Sequence, residues 1–266
     1  IAPTWVFEHL KQYSGKNIKM DLKPIDSTLF SENSKPLIKK KEKFSFFCPQ
    51  RMGIPKGTDI LWEALKFCKS DFEILQVDWR DNGTKEENLT SLRLRENLPH
   101  QVKLIPMIKR KEMPSYYQWC DAVIGNLRIG SFEYVELEAV ISKKAVINFT
   151  NESIKIVFNG EEIDSPFIPK KNDPKTIAQI IDKIVLSNQF REDLFEKEYK
   201  FVKNISNPEK AGEWWDSLFE KEAKSHSSIS KKSSKISQKF RMLNFLIANR
   251  LYYKKLKRII HDKRDT

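Results

Sequence analysis

The chain has 266 residues, 48 Lys/Arg against 36 Asp/Glu, and a formal net charge of +12. Apolar residues make up 39% of it, enough to bury a core, and no run of about 18 uncharged apolar residues is present to cross a bilayer as a helix. The charge is concentrated: Ser225–Thr266 holds 12 of the basic residues and only two acids, so it carries +10 and residues 1–224 carry +2, which excludes a basic nucleic-acid groove across the body.

In chain order, Thr4–Tyr13 reads as a short helix, Ile18–Leu22 as a strand and Lys23–Lys43 as a polar linker with Pro24 and Pro36. Regular alternation then begins. Strands are expected at Phe44–Cys48, Phe72–Val77, Val102–Ile105, Ala122–Ile124 and Ala145–Asn148. Helices are expected between them at Asp59–Cys68, at Glu86–Asn97 with Leu89 and Leu92 inward, at Glu112–Trp119 and at Tyr134–Ile141. Short, nearly continuous apolar strands alternating with helices predict an α/β fold with a parallel sheet covered on both faces. Three more helices follow at Pro174–Ser187, Phe190–Lys203 and Pro208–Glu222, two of them opened by a cap residue before a first-turn proline, Asp173-Pro174 and Asn207-Pro208.

Ligands of such sheets bind beyond the carboxyl ends of the strands, so the loops after Cys48 and Ile124 matter most. The first, Pro49-Gln50-Arg51-Met52-Gly53-Ile54-Pro55-Lys56-Gly57, brings two cations to a helix start. Arg51 can fork onto phosphate oxygens and Lys56 can neutralise them, although a solvated basic loop has the same composition. The second runs from Gly125 through Gly130, Ser131 and Phe132 into a helix that carries Glu138. Glycine and a helix start make an anion site, and Glu138 could accept from sugar hydroxyls or be an ordinary solvated helix carboxylate. No Gly-x-Gly-x-x-Gly, Gly-Lys-Ser/Thr or Asp-x-Asp motif occurs, and Asp78 and Asp81 have the wrong spacing for a metal pair. Cys48, Cys68 and Cys120 lack metal-ligand spacing and read as buried free thiols, and the four histidines read as surface residues.

RMGIPKGTDILWEALKF (51–67) resembles the R-x(n)-K-G-x-x-x-L-x-x-A signature of group 1 glycosyltransferases, and Ile105–Asn148 resembles that family's second signature. Lys23-Pro24-Ile25-Asp26 with Phe30 resembles its interdomain linker, and Asp173 to Trp215 its closing helices, so the likeness covers roughly residues 15–222. It implies the donor half of a GT-B fold and sugar transfer from a nucleotide-sugar with retention, without a metal or other cofactor. By resemblance Arg51 and Lys56 would hold the donor pyrophosphate, with Gly130, Ser131 and Phe132 forming the loop beneath it. Glu138 would take the ribose hydroxyls, and Met107, Ile108 and Lys109 would line the base. The chain departs from the pattern where the family has a glutamate eight positions before Glu138: Gly130 stands there. Lys143 and Ala145 replace the usual Gly and Pro.

The expected domains are 1–43, a remnant or linker of an amino-terminal half; 44–224, the nucleotide-sugar domain; and 225–266, a basic helical tail. Ile236, Phe240, Leu243, Ile247 and Leu251 follow helical spacing among lysines and arginines, so residues 235–260 suit an anionic membrane surface. The expected acceptor is a glycan or a lipid-linked sugar, bound by a domain that would come from a longer chain or a separate polypeptide. The alternative is a non-catalytic nucleotide-binding module. The expected location is cytoplasmic, peripheral at the inner face of the membrane.

Overall fold

The computed structural model describes residues 23–31, 34–36, 42–79, 84–158 and 161–226. The expected helix at Thr4–Tyr13, the strand at Ile18–Leu22 and the tail beyond His226 lie outside the described residues.

Five strands, β1 (Phe44–Cys48), β2 (Phe72–Val77), β3 (Val102–Ile105), β4 (Ala122–Ile124) and β5 (Ala145–Ile147), form a parallel sheet in the order β3-β2-β1-β4-β5. Central β1 pairs on both sides, Phe47 standing opposite Leu75 of β2 and Val123 of β4. Strand order reverses between β1 and β4, which opens a crevice beyond their carboxyl ends. Successive side chains of a strand point to opposite faces. Phe46 and Cys48 therefore join one apolar core and Phe47 the other.

Helices cover both faces. On one, α1 (Thr58–Leu65) supplies Leu61 and Leu65, and α5 (Pro174–Leu186) supplies Ile177, Ile181 and Ile184. The other face takes Tyr117 and Trp119 of α3 (Met113–Trp119), Leu137 and Val140 of α4 (Tyr134–Ile141), and Phe201, Val202 and Ile205 of α6 (Asn188–Ile205). Helix α5 starts as its sequence predicts: Asp173 accepts from Thr176 N at 2.8 Å and Pro174 fills the first turn.

Helix α2 (Lys85–Glu96) differs from expectation. Leu89 is 47% exposed, and Ser91 is the residue buried. The Ser91 hydroxyl donates to the Met52 carbonyl at 3.0 Å, so the helix turns a polar position inward to satisfy the loop after β1. A two-stranded antiparallel hairpin, β6 (Ile156–Phe158) and β7 (Glu161–Ile163), was not foreseen. Cys48 and Cys120 are buried and Cys68 partly so; burial pushes the Cys48 and Cys68 thiols up to about 12, so both stay protonated and unreactive.

The chain divides into two compact units, residues 1–211 and 212–266. Helix α7 (Pro208–His226) supplies the described part of the second, in which Trp215 stacks on Phe219 at 5.5 Å. Among the described residues no helix is long and apolar enough to cross a membrane.

Candidate functional site

The loop after β1 is built to turn sharply. Gly53 N donates to Thr58 Oγ1 at 3.0 Å, a 3-10 turn spans Ile54–Lys56, and Gly57 takes a left-handed φ of 74°. A Cβ at Gly57 would lie 3.0 Å from the Leu127 backbone, so glycine is what lets this loop touch the loop after β4. Leu127 N donates to the Lys56 carbonyl at 3.2 Å, and the Lys56 ammonium pairs with Glu133. Arg51 is half-buried on the same loop. Hydrogen bonds with Thr84 lower the Glu87 carboxyl in the first turn of α2, and the Arg51 charge adds to them.

The loop after β4 is organised by buried amides. Asn126 N donates to both Glu136 Oε1 and Asn148 Oδ1 at 2.9 Å. Asn126 Oδ1 accepts from Arg128 N at 2.8 Å and Ile129 N at 2.9 Å. Gly130 follows with φ 79°, and a Cβ there would sit 2.9 Å from Asn151 Cβ. The family's glutamate therefore has no room in this loop as it is folded. Among the described residues the backbone N–H groups of Gly130, Ser131 and Phe132 have no acceptor. The Phe132 ring is buried against Phe167 and Phe201, and its carbonyl accepts from the Lys23 ammonium.

Two glutamates of α4 are buried. Glu136 accepts from Gln50 Nε2 at 2.7 Å, Asn126 N at 2.9 Å and Glu133 N at 2.7 Å. Burial, then the neighbouring Glu133 charge, raises its pKa. Glu138 is 1% exposed, which corrects the reading of a solvated carboxylate: α4 lies flat on the sheet and buries Glu136 through Val140. Arg110 Nη2 lies 2.7 Å from Glu138 Oε1, and the Tyr117 hydroxyl 3.5 Å from Oε2. Burial raises the Glu138 pKa and the Arg110 charge opposes the rise. On this side of the crevice Met107 is 61% exposed, Ile108 packs on the core, and Lys109 precedes the turn Arg110–Glu112.

The fold thus joins Lys56 and the Gly130–Phe132 loop through Glu133, and joins the Met107–Lys109 segment to Glu138 through Arg110. Sequence reading passed over Arg110, Asn126, Glu136 and Asn148. The available signal was the polar Gly125-Asn126 directly after a strand. Among the described residues no three His, Cys, Asp or Glu side chains gather as a metal site.

Comparison with known proteins places this arrangement. The sequence model of the family described as "Glycosyl transferases group 1" matches residues 30–201. No curated protein sequence matches the chain. Among solved structures, sucrose-phosphate synthase from Thermosynechococcus elongatus is similar at 16% identity and TM-score 0.62, covering 82% of this chain and 57% of its own. Anabaena HepE in complex with UDP and glucose is 17% identical, with TM-score 0.62, 79% of this chain and 59% of its own covered. A glycosyltransferase from Rickettsia africae is 20% identical, with TM-score 0.58, and the match covers 86% and 62%. The chain spans about three-fifths of the length of these proteins, and the likeness is one of fold. With 30–201 matched and the parallel Rossmann-like sheet shared, the chain belongs to the group 1 glycosyltransferases and has the fold of a GT-B half.

Proposed function

We propose that this chain binds the donor of a sugar-transfer reaction, with the diphosphate of a nucleotide-sugar on the Gly130–Phe132 loop. One observation carries the reading: three adjacent N–H groups without an acceptor among the described residues, on a loop tied to Lys56. Aligned N–H groups at a helix start favour an anion, and a lysine adds full charge. The diphosphate would replace Glu133 as the counter-charge of Lys56, with Arg51 as the second cation. As the sugar–oxygen bond breaks, the charge growing on the leaving diphosphate would meet these fixed donors. Glu138 would accept from the ribose hydroxyls beside Arg110, and Met107, Ile108 and Lys109 would line the base. In this reading transfer proceeds with retention and without a metal. The acceptor is a glycan or a lipid-linked sugar bound by an acceptor domain from elsewhere in a longer chain or from a separate polypeptide.

Isothermal titration with UDP, ADP and GDP, with and without EDTA, tests it. Binding by at least one of them, unchanged by EDTA, is expected; no binding by any would end the reading. A second reading, a nucleotide-binding partner subunit without turnover, is favoured by Gly130, where a carboxylate that would touch the sugar has no room. Sugar transfer by the chain together with an acceptor domain separates the two. The location proposed is the cytoplasmic membrane surface, through the basic residues 235–260. Vesicles containing anionic lipid should sediment the full chain and not a chain ending at Lys224.

A further inference from the structure

We infer that Glu136 is a positioning residue: its carboxyl group holds the loops after β1 and β4 in the one arrangement that can take a diphosphate. The inference rests on the donor-site reading above, to which it adds a residue that contacts no ligand itself.

Glu136 is fully buried and its carboxylate collects three N–H donors from three places. Gln50 Nε2 comes from the residue before Arg51, Asn126 N from the start of the β4 loop, and Glu133 N from the residue that pairs with Lys56. Each donor therefore sits next to, or on, a segment assigned to the phosphates. Among the described residues the carboxylate has no cationic partner; amide groups alone satisfy it. That pattern suits an anchor, because a carboxyl oxygen has two lone pairs and Oε1 can take Gln50 Nε2 and Asn126 N together while Oε2 takes Glu133 N. Space beside it is reserved as well. A Cβ on Gly125 would fall 2.4 Å from Glu136 Oε1, so glycine is required where the chain leaves β4. An amide side chain at 136 would fit the volume but would turn an N–H toward one of the three donors. At least one loop would then lose its tether.

The test compares UDP affinity with folding for Glu136→Gln and Gln50→Ala, well below the melting midpoint of each, so that all the protein is folded. Expected are a loss of UDP affinity of about tenfold for the first and about threefold for the second. Faster amide exchange at Asn126 and Glu133 should accompany it in the ligand-free protein. The paired exchange Glu136→Gln with Gln50→Glu returns one carboxylate to the same pocket and should recover part of the affinity. A merely structural role would lower the melting midpoint and leave UDP affinity of the folded protein unchanged. If the parent binds UDP and both single variants bind within twofold of it, the inference is overturned while the donor site stands. If the parent binds no nucleoside diphosphate, both fall. Should Glu136→Gln fail to fold, Gln50→Ala and its exchange rates decide alone.

Discussion

The crevice has two unlike walls. Toward β1 and β4 its lining is held by buried polar contacts: Glu136 on three amides, Asn126 closing its own turn, Lys56 on Glu133. Toward β2 and β3 it presents exposed side chains, with Trp79 45% and Met107 61% accessible. Buried polar groups tied by several hydrogen bonds restrict the geometry, whereas exposed apolar side chains leave a surface that adjusts. Nucleoside-diphosphate sugars share the diphosphate and differ in the base, so under the proposed donor reading a fixed wall would meet the first and an open wall the second.

That contrast can be broken or sharpened by substitution. The largest effect is expected beneath the fixed wall. Phe132→Ala empties a site filled against Phe167 and Phe201 and should lower unfolding free energy by about 3–5 kcal/mol in urea titration. Next, Lys56→Ala should weaken UDP binding by about tenfold to a hundredfold in calorimetry, with a much smaller change in stability. Gly130→Ala must hold a left-handed φ of 79° against Asn151, and a loss of about 1–2 kcal/mol is expected in the same urea experiment. If Gly130→Ala is neutral, the wall is softer than its hydrogen bonds imply.

Glu198 gives a pH-dependent effect. It is buried under the edge strand, its Oε2 accepting from Val146 N at 2.9 Å, and burial pushes its pKa well up. The folded chain thus holds this proton more tightly than the unfolded one, whose glutamate titrates near about 4.3. The contribution to stability is complete below that value and is lost as pH rises through the raised folded value. Glu198→Gln removes the titration, so parent and variant should diverge in urea midpoint between pH 5 and pH 8, the variant being favoured at the higher pH. The smallest change belongs to the open wall. Met107→Ala should alter stability by less than about 0.5 kcal/mol and shift only the preference among UDP, ADP and GDP.

The five strands were legible to within a residue because each is a largely apolar run, bounded by polar, glycine or proline residues. The β6–β7 hairpin was not, since Glu161 and Glu162 carry no apolar alternation and the pairing rests on one register of three residue pairs. Within the candidate site, Arg51, Lys56 and Gly130 stood out through the family signature, since a solvated basic loop has the same composition. Glu136 and Glu138 share a helix in which each could equally face solvent; only the packing of α4 on the sheet decides that both are buried. Arg110 is further from reach. It meets Glu138 from 28 positions away, and an exposed run of Lys109, Arg110 and Lys111 hides which cation turns inward. Contacts of that kind are set by tertiary placement and leave no local periodicity.

One amide plane at the head of α4 is gripped from both sides. The Phe132 carbonyl accepts from Lys23, and the Glu133 N–H of the same peptide unit donates to Glu136 Oε2. Rotating that unit would break a bond to an ammonium and a bond to a carboxylate in a single motion. Its two partners also polarise it in the same sense, drawing electron density toward the oxygen and positive charge toward the nitrogen. The Lys23 backbone N–H in turn donates to the Ile205 carbonyl at 3.1 Å. The same residue therefore ties the entry of α4 to the end of α6.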